Sequence, residues 1–329
     1  MAAETEPVSL TAIAHANKIP AKEFEKQYKE HLSGFDAWDQ KDHADHWMLF
    51  PGNIDTKLSI DEVALTNGEL YTVVTAKAAH GKKGALVAMA EGTKALEISA
   101  VLAQIPLTER QRVTEVTLDM AETMEAIVRR SFPNARLVTD RFHVQQLVSE
   151  AVQEMRITLR REAMQEENEA IKKARKEKTV YRPALCTNGD TKKQLLARSR
   201  YLLFVPESKW SSRQQERSVI LFREYPALKS AYDLAMQFRS CYEHSKTIAE
   251  GAEALKGWYR KVEEKALDTF LPAAESIRLH ETTVLNYFVN RSTNASAESS
   301  NAKLKNFRAL VRGVRDRTFH LFRIAKLYG

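Results

Sequence analysis

The sequence predicts an α/β protein in which helices flank a mixed five-stranded sheet and a large all-helical insertion interrupts the domain. Between residues 57 and 140 the hydrophobic pattern reads strand, strand, strand, helix, strand, helix, strand. Residues 150–290 are dominated by Glu, Lys, Arg, Gln, Leu and Ala, which favour helices. A chain of 329 residues with 43% hydrophobic side chains can also bury a substantial core. We therefore expect two or three structural units.

A small helical unit is predicted within residues 1–50. Two stretches, 10–14 and 24–32, carry apolar residues at helical spacing, and Pro20 suits the first turn of the second helix. This is the outline of a helix-turn-helix that reads DNA, but a hairpin that packs or oligomerises has the same pattern. The polar run 36–46 behind it is predicted to be a linker.

The sheet is predicted within residues 51–149, the first part of the α/β domain. Residues 58–65 alternate as in a half-buried strand, Asn67-Gly68 is a strong hairpin signal, and a second strand follows at 70–75. The later elements are a strand at 85–89, a helix at 93–105, a strand at 113–118, a helix at 120–130 and a strand at 135–139. Hairpin strands followed by alternating helices and strands predict a mixed sheet.

Acidic residues mark three of the predicted strands. Asp61 lies within the first strand, and Asp119 and Asp140 lie at the carboxyl ends of the fourth and fifth strands. In an open sheet the carboxyl ends of parallel strands line the ligand crevice. Asp119 precedes a helix, so it could instead be an N-cap. A carboxylate such as Asp61, in a sheet covered on both faces, costs free energy unless a partner neutralises it, and a divalent metal ion would do so.

A predicted helix that begins near Asn294 places one carboxylate on a basic face. At 100° per residue one stripe holds Glu298, Asn301, Lys305, Arg308 and Arg312. The opposite, packed side is predicted to hold Leu304, Phe307, Leu310 and Val311. An outward carboxylate among basic groups suits a metal ligand beside a nucleic-acid backbone. An ordinary amphipathic helix with a solvated charged face is the alternative.

Positive charge is concentrated in the second half of the chain. Residues 1–149 carry 16 Lys and Arg against 21 Asp and Glu, whereas residues 150–329 carry 34 against 22. The final unit, residues 291–329, has eight basic residues after Ser299, opposed by Asp316 alone. A phosphate-contacting surface is expected there, although a solvated basic tail remains an alternative. The candidate DNA-binding residues are Lys303, Lys305, Arg308, Arg312 and Arg315.

The insertion, residues 150–290, is expected to form a helical unit of its own with an aromatic core. Within it, residues 163–178 are predicted to form a charged helix that serves as a solvated arm or short coiled coil. Cys186 and Cys241 lie far apart and form no C-x-x-C pair, which predicts a reduced, cytoplasmic compartment without structural zinc. No apolar run is long enough to cross a membrane, so no membrane association is expected.

Five features resemble the DDE transposases, whose catalytic domain has an RNase H-like fold. They are the order of elements, Asp61 in an Ile-Asp-Glu strand, Asp119 after the fourth strand, the run Asp140-Arg-Phe-His143, and the helix Asn294 to Lys305 with Glu298. The bacterial insertion-sequence class often written ISL-three is the most similar, because its members carry a D-R-F-H element and an N-x-x-x-E-x-x-N-x-x-x-K helix. The resemblance covers roughly residues 55 to 325.

The resemblance implies a catalytic triad of Asp61, Asp119 and Glu298 that holds two Mg²⁺ or Mn²⁺ ions. Asp140, His143 and Asn301 would lie beside the site, and Asp140 is a rival for the second position of the triad. The implied activity is metal-dependent cleavage at transposon DNA ends, followed by strand transfer of the 3′-hydroxyl into target DNA. The alternatives are a nuclease that does not transfer strands and a non-catalytic DNA-binding regulator.

The partners implied are double-stranded DNA, at transposon ends and at the target, and further copies of the chain on that DNA. Members of the class usually begin with a cysteine-rich zinc-binding region, which these 329 residues lack. A separate polypeptide could therefore supply part of the DNA-end recognition. The expected location is the cytoplasm, in association with the nucleoid.

Overall fold

The computed structural model describes residues 2–65, 68–311 and 316–329, which divide into two compact units. The first unit comprises Met1–Asp140 and Arg291–Gly329, and the second comprises Arg141–Asn290. The predicted hairpin residue Asn67 and the candidate DNA-binding residues Arg312 and Arg315 lie outside the described residues, and these three predictions remain open.

Six strands and sixteen α-helices are assigned within the described residues. The strands are β1 (Trp47–Leu49), β2 (Lys57–Ala64), β3 (Leu70–Ala76), β4 (Leu86–Glu91), β5 (Glu115–Leu118) and β6 (Arg136–Thr139). The first six helices are α1 (Ala2–Thr5), α2 (Leu10–Ala16), α3 (Ala21–Gln27), α4 (Ala95–Leu102), α5 (Leu107–Gln111) and α6 (Glu122–Ser131). The helices of the second unit are α7 (Arg141–Lys176), α8 (Lys192–Arg198), α9 (Ser212–Glu224), α10 (Pro226–His244), α11 (Ile248–Lys265), α12 (Leu271–Leu279), α13 (Glu281–Leu285) and α14 (Tyr287–Asn290). The chain ends with α15 (Ala295–Leu310) and α16 (Arg317–Tyr328).

The sheet is mixed, as predicted, with the order β1-β4-β3-β2-β5-β6. β2, β5 and β6 are parallel neighbours, whereas β3 is antiparallel to both β2 and β4. The prediction of five strands is wrong by one, because β1 pairs antiparallel with β4 at one edge. β1 has only three residues, which are too few to show the alternation typical of a strand. It was therefore not predicted, and it directly follows residues 36–46, which were predicted to be a linker.

Helices cover both faces of the sheet, as predicted. On one face, Leu58 and Ile60 belong to a core shared with α4 and α6. On the other face, Val63 belongs to a core with Leu304 and Phe307 of α15 and with apolar residues of α16. Successive side chains of a strand point to opposite faces. Asp61 therefore lies on the α15 face of β2.

The N-terminal helices pack against the C-terminal helix of the same unit. Leu10 and Tyr28 are buried there beside Phe319 of α16. The Arg323 guanidinium, 3% exposed, donates to the carbonyl oxygens of Ala3 at 3.0 Å and Val8 at 2.9 Å. These contacts give the hairpin of α2 and α3 a packing role within the unit.

The regular elements of the second unit are all helices, as the composition predicted. Its core holds aromatic side chains that the sequence assigned to packing, and Trp258 of α11 donates from Nε1 to the carbonyl of Leu234 in α10 at 2.9 Å. The buried members of this set are Tyr232, Phe238, Tyr242, Trp258 and Tyr259. Within the described residues, no helix combines the length and apolarity needed to cross a bilayer.

Candidate active site

Asp61 and Asp119 lie at the same level of two neighbouring parallel strands. In the pairing of β2 with β5, Ser59 lies opposite Thr117. Asp61 is two residues beyond Ser59, and Asp119 is two residues beyond Thr117. Because parallel strands advance together and lie about 4.8 Å apart, the backbones of these two aspartates are neighbours at the carboxyl end of the strand pair.

Asp140 continues the same row by one strand. In the pairing of β5 with β6, Leu118 lies opposite Thr139, and Asp119 and Asp140 each follow by one residue. The three predicted acidic positions therefore occupy one edge of the sheet, in the order of their strands. At the backbone, Asp119 lies one strand from Asp61 and Asp140 lies two strands away, roughly 10 Å.

The Asp61 carboxylate, half-buried, is held by groups on two elements. Its Oδ1 accepts from the backbone N–H of Glu62 at 2.8 Å, and its Oδ2 accepts from Nδ2 of Asn301 in α15 at 2.8 Å. The same Nδ2 lies 3.3 Å from the carbonyl oxygen of Glu62. Asn301 thus joins α15 to β2 at the carboxylate.

Negative charge gathers around Glu62. Burial raises the pKa of the Glu62 carboxyl above its ordinary value, and the carboxylates of Asp119 and Asp61 raise that pKa further. Asp119, also half-buried, accepts from the backbone N–H of Ala121 at 2.9 Å, in the turn before α6. The helix cap itself is Ala121, so Asp119 is not the N-cap that the sequence allowed.

Asp140 and Glu298 approach each other at the start of α15. A carboxylate oxygen of Asp140 and one of Glu298 lie within 4.8 Å of each other. Asp140 is buried and also accepts from the backbone N–H of Asn294 at 3.1 Å. Glu298 is exposed and lies in the first turn of α15. Positive partial charge at a helix N-terminus favours an anionic side chain at that position.

A largely buried lysine connects the loop before α15 to the sheet. The Lys77 ammonium donates to the hydroxyl oxygens of Thr117 and Ser292, the second at 2.6 Å, and lies 3.5 Å from a carboxylate oxygen of Glu115. The side chains of Lys77 and Glu115 are 14% and 4% exposed. Burial lowers the pKa of the Lys77 ammonium, and Glu115 opposes that shift. Together with the bond from Asn294 to Asp140, this cluster fixes where α15 begins.

The predicted basic stripe of α15 is only partly outward-facing. Lys305 is exposed, but Asn301 is 6% exposed, and Arg308 is buried with its guanidinium 3.0 Å from a carboxylate oxygen of Glu69. Lys303 donates to the carbonyl of Gly81 at 2.8 Å. The prediction of an outward face is therefore wrong for Asn301 and Arg308, because the packed side of α15 is wider than one apolar stripe.

The packed side of α15 also differs from the prediction at its end, where Leu310 is 57% exposed while Leu304 and Phe307 are buried as expected.

The turn after β3 closely approaches α15 at Gly81. This residue has φ +68°, and a Cβ there would meet Ser300 Oγ at 3.0 Å. The turn can approach α15 this closely because residue 81 has no side chain.

The remaining predicted residue, His143, lies in the first turn of α7, in the second unit, and is half-buried. Its Nε2 is buried, and no hydrogen-bond partner for it occurs among the described residues. Its ring lies edge-on to Phe142, with ring centroids 5.7 Å apart.

The oxygen donors at this edge suit a hard divalent cation. Carboxylate and carbonyl oxygens are the preferred ligands of Mg²⁺ and Mn²⁺, and the predicted ligands Asp61, Asp119 and Glu298 are three carboxylates. Asn301 Oδ1 is buried beside them without a hydrogen-bond partner in the part of the chain that the structure describes. The three carboxylates do not all lie within 4.8 Å of one another. Two ions about 4 Å apart allow such a wider spacing of ligands.

Comparison with known families identifies the family of the chain. A family model described as a transposase, of the DDE ISL-three type, matches residues 58–324. The chain belongs to this transposase family. No curated protein and no solved structure shows a significant match. The resemblance read from the motifs is thereby confirmed, and the match includes every predicted site residue from Asp61 to Arg315.

Several residues that shape the site of this transposase family member were not predicted from the sequence. Lys77, Glu115 and Ser292 form a partly buried cluster. Asn294 is completely buried, with neither side-chain amide atom partnered among the described residues. The motif spacing did include Asn294, but as the start of a helix. Nothing in the local pattern marked Lys77, because its partners lie 40 and 215 positions away.

Proposed function

We propose that the first unit is an RNase H-like catalytic domain that cleaves DNA at the ends of a transposable element and transfers the freed 3′-hydroxyl into target DNA. The observation that carries this proposal is the row of aspartates on three neighbouring parallel strands, with Glu298 of α15 brought to one of them. Five of the strands, in the order β4-β3-β2-β5-β6 with β3 antiparallel, form the sheet of the proposed fold.

Asp61, Asp119 and Glu298 are proposed to hold two Mg²⁺ or Mn²⁺ ions. When bound, such a pair supplies Lewis acidity that activates an attacking oxygen and stabilises the leaving oxygen of the phosphodiester. Asp119 is assigned to the second position because it lies on the strand next to Asp61. Asp140 is assigned a positioning role, since it accepts from the Asn294 backbone at the start of α15.

The side chains of the chain itself orient the reaction. Asn301 holds Oδ2 of Asp61, and the backbone N–H of Glu62 holds Oδ1. No covalent protein nucleophile is required, because water attacks the phosphodiester in the cleavage step and the freed 3′-hydroxyl attacks target DNA in the transfer step. Lys305, exposed one turn beyond Asn301, is placed to neutralise phosphate charge beside the site.

The proposed substrates are double-stranded DNA ends and target DNA, bound by more than one copy of the chain so that two ends can be joined. A separate DNA-recognition polypeptide is a further possible component of this assembly. The basic second half of the sequence supports a polyanionic substrate, since residues 150–329 carry 34 Lys and Arg against 22 Asp and Glu.

The experiment that tests this function uses labelled duplexes taken from the DNA that flanks the coding sequence. Each duplex is incubated with purified protein, Mg²⁺ or Mn²⁺ and a supercoiled target plasmid, in parallel with Glu298→Gln. We expect joined products from the wild type and none from the variant, because the amide keeps the side-chain shape but removes the charge that holds a cation.

Other outcomes separate the alternatives. Cleavage without joined products would replace the transposase assignment with a nuclease. Binding of the duplex without cleavage by the wild type, in either metal, would replace it with a DNA-binding regulator. Equal activity of wild type and Glu298→Gln would remove Glu298 from the site.

A further inference from the structure

Charge is segregated along the far half of α7 in the second unit. Residues 162–169 contain four Glu and no basic residue, whereas residues 172–182 contain six basic residues and one Glu. The basic side chains are Lys172, Lys173, Arg175, Lys176, Lys178 and Arg182, and we name this segment the basic tip. All six of these residues are exposed.

Part of the acidic block is paired with basic residues of α8, whereas the basic tip has no such partner in the part of the chain that the structure describes. Glu166 pairs with Lys192 at 3.3 Å and Glu167 pairs with Lys193 at 2.7 Å, which joins α7 to α8. Within the described residues, none of the six basic side chains of the tip forms an ion pair. Two of the four Glu residues in the acidic block are therefore neutralised within the unit, whereas the six basic side chains of the tip are left to solvent.

The arrangement of the tip suits a row of phosphates. Lys172, Arg175 and Lys176 lie at positions i, i+3 and i+4, so they share one face of the helix with neighbouring Cβ atoms about 5–6 Å apart. After α7 ends, the chain runs without helix or strand to α8, and it exposes Val180 (85%) and Leu185 (63%) on either side of Arg182.

A favourable interaction with the helix dipole accounts for some of this pattern. Basic residues in the last turn of a helix are stabilised by about 0.3–1 kcal/mol each, which applies to Lys173, Arg175 and Lys176. It does not apply to Lys178 and Arg182, which follow the helix. Six basic residues within eleven positions exceed what capping of one helix requires.

We propose that the basic tip is a second DNA-binding surface, which contacts the backbone of duplex DNA independently of sequence. This inference deepens the proposed function, because it assigns part of the DNA binding to the insertion. An acidic membrane is the less favoured partner, because an interfacial helix needs an apolar face along its length. In the tip, the helical residue Ala174 is already buried within the protein.

The test measures salt-dependent binding of the full-length protein to a labelled duplex of about 30 base pairs in EDTA, so that no catalysis is needed. The variant replaces Lys172, Arg175 and Lys176 by Ala. Because each neutralised phosphate contributes a slope of about −0.9 in log affinity against log salt, we expect a slope shallower by up to about 2.7. Alanine is the best helix former, so α7 should remain folded.

A matched control replaces Lys256, Arg260 and Lys265 of α11 by Ala. These residues are also exposed and carry the same total charge, but they are interleaved with Glu253, Glu263 and Glu264. We expect this control to change the slope by less than about one unit. A charge-retaining variant, with Lys172→Arg, Arg175→Lys and Lys176→Arg, should bind as the wild type does.

Three results would overturn the inference. The first is an equal loss of slope in both alanine triples, which would show a general effect of net charge. The second is an unchanged slope in the basic-tip triple while the wild type binds. The third is loss of binding to phosphatidylserine vesicles with DNA binding unchanged, which would assign the tip to a membrane. If the wild type itself bound no duplex, the DNA substrate of the proposed function would fail as well.

Discussion

Asn301 of α15 donates from Nδ2 to Oδ2 of Asp61 in β2 over 2.8 Å, across 240 positions of sequence. The bond fixes one carboxylate of the proposed triad against the helix that carries another, Glu298. Asn301 itself is buried, and its Oδ1 has no hydrogen-bond partner among the described residues. The amide therefore orients Asp61 and leaves a buried acceptor beside it.

The first prediction concerns this bond. Asn301→Ala should lower cleavage at least 10-fold and raise the Mn²⁺ concentration needed for half-maximal activity, because Asp61 loses a donor worth about 1.5–3 kcal/mol. DNA binding in EDTA should not change. The control is Asn306→Ala on an exposed position of the same helix. Equal effects of the two substitutions would remove the positioning role from Asn301.

A second prediction separates the four carboxylates. Asp61→Asn, Asp119→Asn and Glu298→Gln should each abolish cleavage, whereas Asp140→Asn should retain part of it, since an amide oxygen still accepts from the Asn294 backbone. Glu298 is exposed, so its substitution should change the unfolding free energy by less than about 0.5 kcal/mol. If Asp119→Asn remained active and Asp140→Asn were inactive, the second metal-binding position would be assigned to Asp140 instead of Asp119.

The periodic features of the fold could be predicted from the sequence. The strands β2 to β6 and helices α4 and α6 carry patterns that repeat every two or 3.6 residues, and the topology then placed Asp61, Asp119 and Asp140 at one edge. β1 was missed because three residues show no period. Such patterns assign each residue to one face of its helix or strand. They do not show how wide a part of the helix surface is buried against the rest of the unit.

For the same reason the burial of Asn301 and Arg308 was missed. Each lies beside apolar residues of α15, and its partner comes from a strand or loop more than 200 positions earlier, Asp61 for Asn301 and Glu69 for Arg308. Lys77 is a comparable case, since a lysine after a strand usually faces water. Long-range polar pairs leave no local signal in one sequence.

A third prediction uses the difference between Lys305 and Arg308. Lys305→Ala should make the salt dependence of DNA binding shallower by about 0.9, the contribution of one phosphate. Arg308→Met should instead lower the unfolding free energy by roughly 3 kcal/mol, because it leaves Glu69 without its guanidinium partner in a largely buried position. The double variant with Glu69→Gln should recover much of that loss in urea unfolding.

If Lys305→Ala left the slope unchanged while Arg308→Met changed it without loss of stability, the two roles would have to be exchanged.

A fourth prediction concerns the partly buried cluster that fixes the start of α15. Lys77→Met should lower the unfolding free energy by about 3 kcal/mol, because Glu115 keeps its charge while it loses a cation. Lys77→Met with Glu115→Gln should regain at least half of that loss. Both variants should also bind Mn²⁺ more weakly in calorimetry, because the Ser292 tie is lost. If the stable double variant bound Mn²⁺ as tightly as the wild type does, the cluster would have only a structural role.

The last prediction is a pH dependence that arises from His320. Its ring stacks on Phe307, with centroids 5.0 Å apart, and neither ring nitrogen has a hydrogen-bond partner within the described residues. Burial, followed by the charges of Arg308 and Arg323, lowers the pKa of His320 to about 3. The folded state therefore resists protonation at a pH where the unfolded chain, with a His pKa near 6.5, accepts a proton.

The stability that His320 contributes is thus fully present above about pH 6.5 and is lost as the pH falls from there towards 3. Each unit of pH in that window costs up to about 1.4 kcal/mol, so acidification from pH 7 to pH 5 should lower the unfolding free energy by roughly 2 kcal/mol. His320→Phe keeps a ring against Phe307 and removes the titrating group. Urea unfolding at both pH values should show a smaller loss in this variant, and an identical loss in wild type and variant would assign the acid sensitivity to other groups.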